Sequence, residues 1–235
     1  MAYKKDLFLS RKRKFLVMSD LHIPYHDKSA IEKALTLGLN QQCTELIILG
    51  DMLDFHKVSK YRHSKDAVEI ESEIEVAKQW LKKFSWQFAR MYFVPGNHED
   101  RLSNYIIDNA PSLTGLDELR LDRLLALEEH KCQFVEGFIH CGDMTFLHGH
   151  ECRISGMDPA RKLFGKMKKS AICGHLHRPD SYYTRDGAGN LLQCHVLGHL
   201  GESRPEYMPR NDWQHGCAVV TVPKSGKAQV QTHIL

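Results

Sequence analysis

Lys14 to His22 reads KFLVMSDLH, and the same design returns at Glu45 to Asp54 (ELIILGDMLD) and at Met91 to Glu99 (MYFVPGNHE). Each is a short apolar run that stops at Gly, Asp, Asn or His, the signature of a strand buried on both faces and followed at once by a polar loop. Between the runs lie helical patterns. One covers Ser29 to Asn40; a longer one repeats Ile70, Ile74, Ala77, Leu81, Phe84 and Phe88 at spacings of four and three, with Asp66 and Glu69 as a predicted cap. Trp80 and Trp86 on that pattern read as helix-packing residues. Strand and helix alternating over residues 14–100 predict βαβ units and a largely parallel sheet. Ligands of such sheets gather at the carboxyl ends of the strands, so Asp20, Asp51 and Asn97 are expected to share one crevice.

Downstream, Asp100 to Gly137 reads as helical, with Leu116, Leu119, Leu121, Leu124, Leu125 and Leu127 among charged residues, and is expected to form a helical excursion at 100–140 covering the site. Met144 to Leu147 ends at His148, a helix is expected at Pro159 to Lys168, and Ser170 to Cys173 ends at Gly174-His175-Leu176-His177. Strands near 181–184, 191–197, 217–222 and 228–234 read as antiparallel, with hairpin turns at 186–190 and 224–227. No internal repeat interrupts this, and residues 1–235 are expected to form one domain.

The 235 residues are 42% hydrophobic and 26% charged, with three Trp and eight Tyr, which excludes a disordered chain. No apolar run is long enough to cross a bilayer, and the start lacks a signal peptide's apolar stretch, so a cytoplasmic protein without membrane contact is expected. Seven cysteines without a CxxC pair fit reduced, buried thiols. The net charge of +3 is local to the N-terminus, where residues 1–14 carry six basic side chains against one acidic. That stretch reads as a solvated tail before the first strand, or as a nucleic-acid-binding arm.

The unusual count is 15 histidines. They concentrate at predicted strand ends beside carboxylates and one amide: Asp20-Leu21-His22, Gly50-Asp51 with Asp54, Gly96-Asn97-His98-Glu99, His148-Gly149-His150 and His175-Leu176-His177. This mixture of hard and borderline donors suits Mn²⁺, Fe²⁺ or Zn²⁺ better than Ca²⁺ or Mg²⁺. In an extended segment residues i and i+2 point to the same side, so Asp20 with His22, and His175 with His177, are expected to grip together.

In this order the five clusters resemble the calcineurin-like metallophosphoesterase superfamily, in its small bacterial and phage form, with the pattern DxH, GDxxD, GNH[ED], a His with Gly, then GHxH over Asp20 to His177. The resemblance implies an α/β fold, a four-layer αββα sandwich, and two divalent metal ions, Mn²⁺ first, with Fe, Zn²⁺ or Ni²⁺ as the other candidates. It implies Asp20, His22, Asp51 and His177 as ligands of one ion, and Asp51, Asn97, His148 and His175 as ligands of the other. A metal-bridging hydroxide would attack the phosphate ester, His98 would be the general acid, and Asp54 would orient it.

The protein Ser/Thr phosphatases of the superfamily place an Arg after the second Asp of GDxxD and another before GNHE; here those positions are Phe55 and Pro95. The expected substrate is therefore a phosphodiester in a nucleotide or nucleic acid. Alternatives are a phosphomonoesterase or nucleotide pyrophosphohydrolase, and, from a different class, a non-catalytic binding scaffold. Arg62, Arg101, Arg178 and Arg204 are candidate phosphate contacts, joined by His150 and His199. Tyr25 and His26 either line the pocket or belong to a solvated loop.

Overall fold

The computed structural model describes residues 5–60, 68–205, 208 and 210–235. In chain order its strands and helices are β1 (Leu7–Leu9), β2 (Arg13–Met18), α1 (Lys28–Asn40), β3 (Glu45–Leu49), α2 (Ile70–Gln87), β4 (Arg90–Val94), α3 (Glu99–Asn109), α4 (Leu121–Leu124), β5 (Cys132–Phe134), β6 (Ile139–Cys141), β7 (Met144–Phe146), α5 (Pro159–Met167), β8 (Ala171–Cys173), β9 (Asp180–Arg185), β10 (Leu191–Val196), β11 (Gly216–Val222) and β12 (Gln229–Ile234).

The strands form two six-stranded sheets, ordered β12-β11-β2-β3-β4-β5 and β1-β6-β7-β8-β10-β9. In the first, β2 to β5 run parallel; in the second, β7, β8 and β10 do. Three apolar cores explain the layering. Phe15, Val17, Ile47, Leu49, Tyr92 and Val94 meet Ile139, Phe146 and Ile172 between the sheets. The alternate residues Leu16, Met18, Leu46, Ile48, Met91 and Phe93 face a second core with Ile31, Leu35, Ala77, Leu81 and Phe84 of α1 and α2. On the outer face of the second sheet, Ala171, Cys173, Cys194 and Val196 pack with Ala160 and Leu163 of α5. Three cores between four layers make an αββα sandwich, and they explain why β2, β3 and β4 are apolar at nearly every position: each strand buries both faces.

The helices start and stop on identifiable contacts. Asp27 caps α1 by accepting from Ala30 N at 2.9 Å, and Asp180 of β9 accepts from Ala160 N at 2.9 Å at the first turn of α5. Gly38 lets α1 sit close to the sheet, because a Cβ there would meet Leu16 Cδ2 at 3.0 Å. All seven cysteines are buried and unpaired.

Four expectations need correcting. The 100–140 segment is not wholly helical: after α3 and α4 it contributes β5, which extends the first sheet beside β4, and Ile139 begins β6. The basic N-terminus is not a tail before the first strand, because Leu7–Leu9 pairs in parallel with Ile139–Cys141 and Arg13 bonds Glu45 at 2.5 Å and the Tyr92 hydroxyl at 3.2 Å. The later strands pair antiparallel in their hairpins as expected, β9 with β10 and β11 with β12, but β10 also runs parallel to β8 on its other side. Trp86 is 76% exposed rather than packed, because it lies off the stripe that carries Trp80, Leu81 and Phe84. The Asp66 cap lies outside the described residues.

Candidate metal centre

The parallel strands of both sheets end at one rim. Asp20 follows β2, Asp51 follows β3, Asn97 follows β4, His148 follows β7 and His175 follows β8, so loops far apart in sequence meet across the seam between the sheets. The backbone there is not extended. Asp20, His22, Asp51, His175 and His177 all have positive φ, between 48° and 69°, so tight left-handed turns, not strand alternation, bring i and i+2 together. Glycines make room: a Cβ on Gly96 would lie 2.2 Å from Asp51 Oδ1, and one on Gly174 would lie 2.4 Å from Asp20 Oδ2.

Three groups of metal-type donor atoms converge: Asp20, His22 and His177; Asp51, His148 and His175; and His22, Asp51 and His98, which joins the other two. His22 Nε2 faces His177 Nε2 at 3.1 Å, and His177 Nε2 lies 3.3 Å from Asp20 Oδ1. His148 Nε2 is 3.3 Å from Asp51 Oδ2 and 3.2 Å from Asn97 Oδ1. The Asp20 carboxyl is fully buried, yet its Oδ1 has no hydrogen-bond donor. Two imidazole nitrogens facing one another beside an unsatisfied carboxylate oxygen are donors that a divalent cation would satisfy, so these residues fit such an ion.

The surroundings fix each ring. His148 Nδ1 lies 2.6 Å from Leu49 O, which leaves its Nε2 for the centre. Asp54 Oδ1 lies 3.2 Å from His22 Nδ1 and 3.0 Å from His98 Nδ1, turning both Nε2 atoms inward. Arg101 donates to Asp54 O at 2.7 Å, and its Nη2 is 2.8 Å from His98 Nε2. A guanidinium only donates, so His98 carries its proton on Nδ1 in this state.

Burial alone would raise the Asp20 and Asp51 carboxyls; the facing His177 and His148 outweigh it and hold both below the usual carboxylate range. Asp54 is likewise held low, because His22 and His98 overcome its burial. Burial works against the charge on His148, but Asp51 pushes it up to about 10, so this ring shares its proton with Asp51 unless a cation takes that place. Burial and the neighbouring His148 push His175 down to about 4, leaving a neutral ring.

Two buried carboxylates brace the loops. Glu99 accepts from Asp51 N at 2.8 Å, Leu53 N at 3.0 Å and Gly96 N at 2.6 Å; Glu73 accepts from Asp54 N and Phe55 N, both at 2.7 Å. Sequence reading assigned neither role. Glu73 carried a signal, because it is a charged residue on the apolar stripe of α2. Trp213, whose ring meets His177 edge-on at 4.3 Å, carried none.

Of the remaining candidates, Arg101 is brought to His98. His150 packs near His148 and His175, with ring centres 5.3 and 6.2 Å away, and lies 3.8 Å from Asp100. His199 is fully buried and stacks on His177 at 4.8 Å, with both ring nitrogens unpartnered. Arg178 is not brought in as a free phosphate contact: it bonds Asp212 at 3.1 Å and Gly156 O at 2.9 Å. Arg204 opens with Arg210, Asn211 and Asp212 onto a different groove. Arg62 lies outside the described residues. His26 Nε2 accepts from Trp80 Nε1 at 2.8 Å, which ties its ring to α2.

A two-sheet sandwich that collects metal-type side chains at its strand ends defines a class of fold, and comparison with known families gives the class its name. The chain belongs to the calcineurin-like phosphoesterase family, whose model matches residues 13–199. It is 24% identical over 227 residues to the gene 54 protein of Mycobacterium phage L5, covering 89% of each chain. Similar solved structures include a dimetal phosphatase from Danio rerio (11% identity, 94% and 96% of the two chains, TM-score 0.48) and the phosphoesterase YfcE from E. coli (15%, 88% and 87%, 0.44). Vacuolar protein sorting 29 from Cryptosporidium parvum is similar too (13%, 96% and 98%, 0.48). Among the described residues no helix is long and apolar enough to cross a membrane.

Proposed function

We propose that this protein is a hydrolase of phosphodiesters in nucleotides or nucleic acid, with two divalent ions held by Asp20, His22, Asp51 and His177 and by Asp51, Asn97, His148 and His175. The observation that carries the reading is the pair of donor groups joined through His22 and Asp51, one of which holds the buried, unpartnered Asp20 Oδ1. Divalent cations at such a site supply Lewis acidity toward phosphoryl oxygens and make water a competent nucleophile at neutral pH. Mn²⁺ is the ion to load first, given the mixed oxygen and nitrogen donors.

The chain's own part is positioning and proton transfer. Asp54 holds the Nδ1 proton of His98 and favours the imidazolium form, so that Nε2, once free of Arg101, takes a proton from solvent and passes it to the departing oxygen. Arg101 holds that Nε2 when no substrate is present; a phosphoryl oxygen would draw the guanidinium away and release His98 for its task. Phe55 and Pro95 are buried and offer no cationic grip, which favours the singly charged diester over a doubly charged monoester.

The test is turnover of bis(p-nitrophenyl) phosphate and p-nitrophenyl phosphate with Mn²⁺, alongside elemental analysis. Turnover with preference for the diester is expected. Bound metal without turnover of either compound would overturn the reading in favour of a binding scaffold. His98→Ala should lower kcat by about 10²- to 10⁴-fold with metal content unchanged; lost metal would count against its acid role.

A further inference from the structure

From Pro159 to Pro179 the chain carries Arg161, Lys162, Lys166, Lys168, Lys169 and Arg178 and no acidic residue, although the whole chain has a net charge of only +3. The first five are exposed, on and just beyond the outward side of α5. Arg161, Lys162 and Lys166 join Arg153 in lining a groove of about 730 Å³ in which Asp158 is the one acid. None of these four cations forms an ion pair among the described residues; Lys162 donates to the carbonyl of Ser155 instead.

The opposite behaviour is found in a groove of about 1090 Å³ at the β1 and β5 edges. It also collects arginines, but Arg13 is matched to Glu45 at 2.5 Å, Arg120 to Asp122 at 3.1 Å and Arg123 to Glu128 at 3.9 Å. Three cations of that groove are matched to acids, with Lys5, Arg90 and Lys131 beside them, whereas none of the four along α5 is matched among the described residues.

The chain ties the open face to the metal centre at both ends. At one end, Arg153 follows directly on the turn His150–Cys152 that leaves His148. At the other, Arg178, the residue after His177, donates to Gly156 O on the loop leading into α5. Along α5, Arg161 and Lys162 stand four to five residues before Lys166, about 6 to 7.5 Å at 1.5 Å per residue. That matches about two nucleotide steps of a strand at 3.4 Å per charge.

We propose that the α5 face is the track on which a nucleic-acid strand is bound and led to the metal centre, which makes a polynucleotide, rather than a small nucleotide, the substrate. The assignment rests on the reading of the centre as a phosphoesterase. An acidic polypeptide would also meet a basic face. The tie to a site for phosphate esters favours the phosphodiester chain.

The experiment compares the unaltered protein with the triple variant R161Q/K162Q/K166Q and, as a control from the acid-matched arginines of the other groove, R120Q/R123Q. Binding of a fluorescein-labelled single-stranded oligonucleotide is followed by anisotropy in EDTA across a salt series, and hydrolysis of bis(p-nitrophenyl) phosphate is followed with Mn²⁺. The triple variant should bind roughly tenfold more weakly, and the slope of log K against log salt should fall by about 2 for the three lost charges. Its turnover of the small diester should be unchanged, and the control should match the unaltered protein in both. Equal affinity and slope in the triple variant would overturn the track. Displacement of the oligonucleotide by polyglutamate as readily as by unlabelled oligonucleotide would overturn it in favour of an acidic protein partner. Absence of small-diester turnover in the unaltered protein would instead remove the phosphoesterase reading, and the substrate assignment with it, while leaving the binding result to stand alone.

Discussion

The two sheets hold their shares of the centre by different means. On the first, Asp51 and Asn97 sit on loops pinned through the backbone, Glu99 alone accepting three N–H groups and Glu73 two more. On the second, His177 is held by rings: it meets His22 edge-on at 5.1 Å and Trp213 at 4.3 Å and stacks on His199, while its own Nδ1 is unpartnered. Hydrogen bonds to fixed amides define direction and distance, whereas ring packing defines a plane and lets the ring slide within it. The carboxylate loops are therefore the rigid template, and the His177 ring is the part that can adjust.

The largest effect that would test this contrast comes from Asp51, the residue shared by two donor groups. Asp51→Ala should abolish turnover of bis(p-nitrophenyl) phosphate and reduce bound metal at the whole centre, whereas His177→Ala should leave the Asp51 group able to bind; equal metal loss in the two variants would break the contrast. Next is Glu99→Gln, which turns an amide NH₂ toward backbone N–H groups that need an acceptor. Metal affinity should fall about 10- to 100-fold by titration, and urea unfolding should show a loss on the order of 2 kcal/mol.

A smaller, pH-dependent effect is expected at Glu73. Burial, opposed by the Phe55 N–H and reinforced by Asp54, pushes its carboxyl up to about 8. A folded-state value above the unfolded one near 4.5 means that folding favours the protonated form, so this contribution is complete at low pH and is lost as pH rises toward 8. Urea unfolding of Glu73→Gln between pH 5 and 8 should thus lose less stability than the unaltered protein. The smallest effect should follow His199→Phe, which keeps the stack on His177: less than about a tenfold change in turnover, below the usual cost of disturbing a ligand's support. A larger loss would show that the unpartnered nitrogens of His199 matter and that rings alone do not hold that side.

What could be read from the sequence follows the same division. Strands that bury both faces announce themselves as apolar runs, so β2, β3 and β4 and the polar residues after them were visible without coordinates. Cys132–Phe134 and Ile139–Cys141 were not: three residues are too few to show a period, and their strand state comes from pairing with β4, β1 and β7. The i and i+2 grouping of Asp20 with His22 follows from the spacing, yet left-handed turns rather than extended backbone produce it. Trp213 joins His177 across 36 positions of sequence, a distance over which no local pattern operates.

The donor atoms stand on both sides of a hydrophobic seam in which Phe15 of one sheet meets Phe146 of the other at 5.7 Å. The gap between Asp20 and His177 is thus gauged by oily side chains that never touch an ion. For a centre that holds divalent ions, size preference would then depend on core volume: shaving methylenes from the seam would let the sheets settle closer and narrow the bite, so a screen for altered metal selectivity has reason to begin in the core rather than among the ligands.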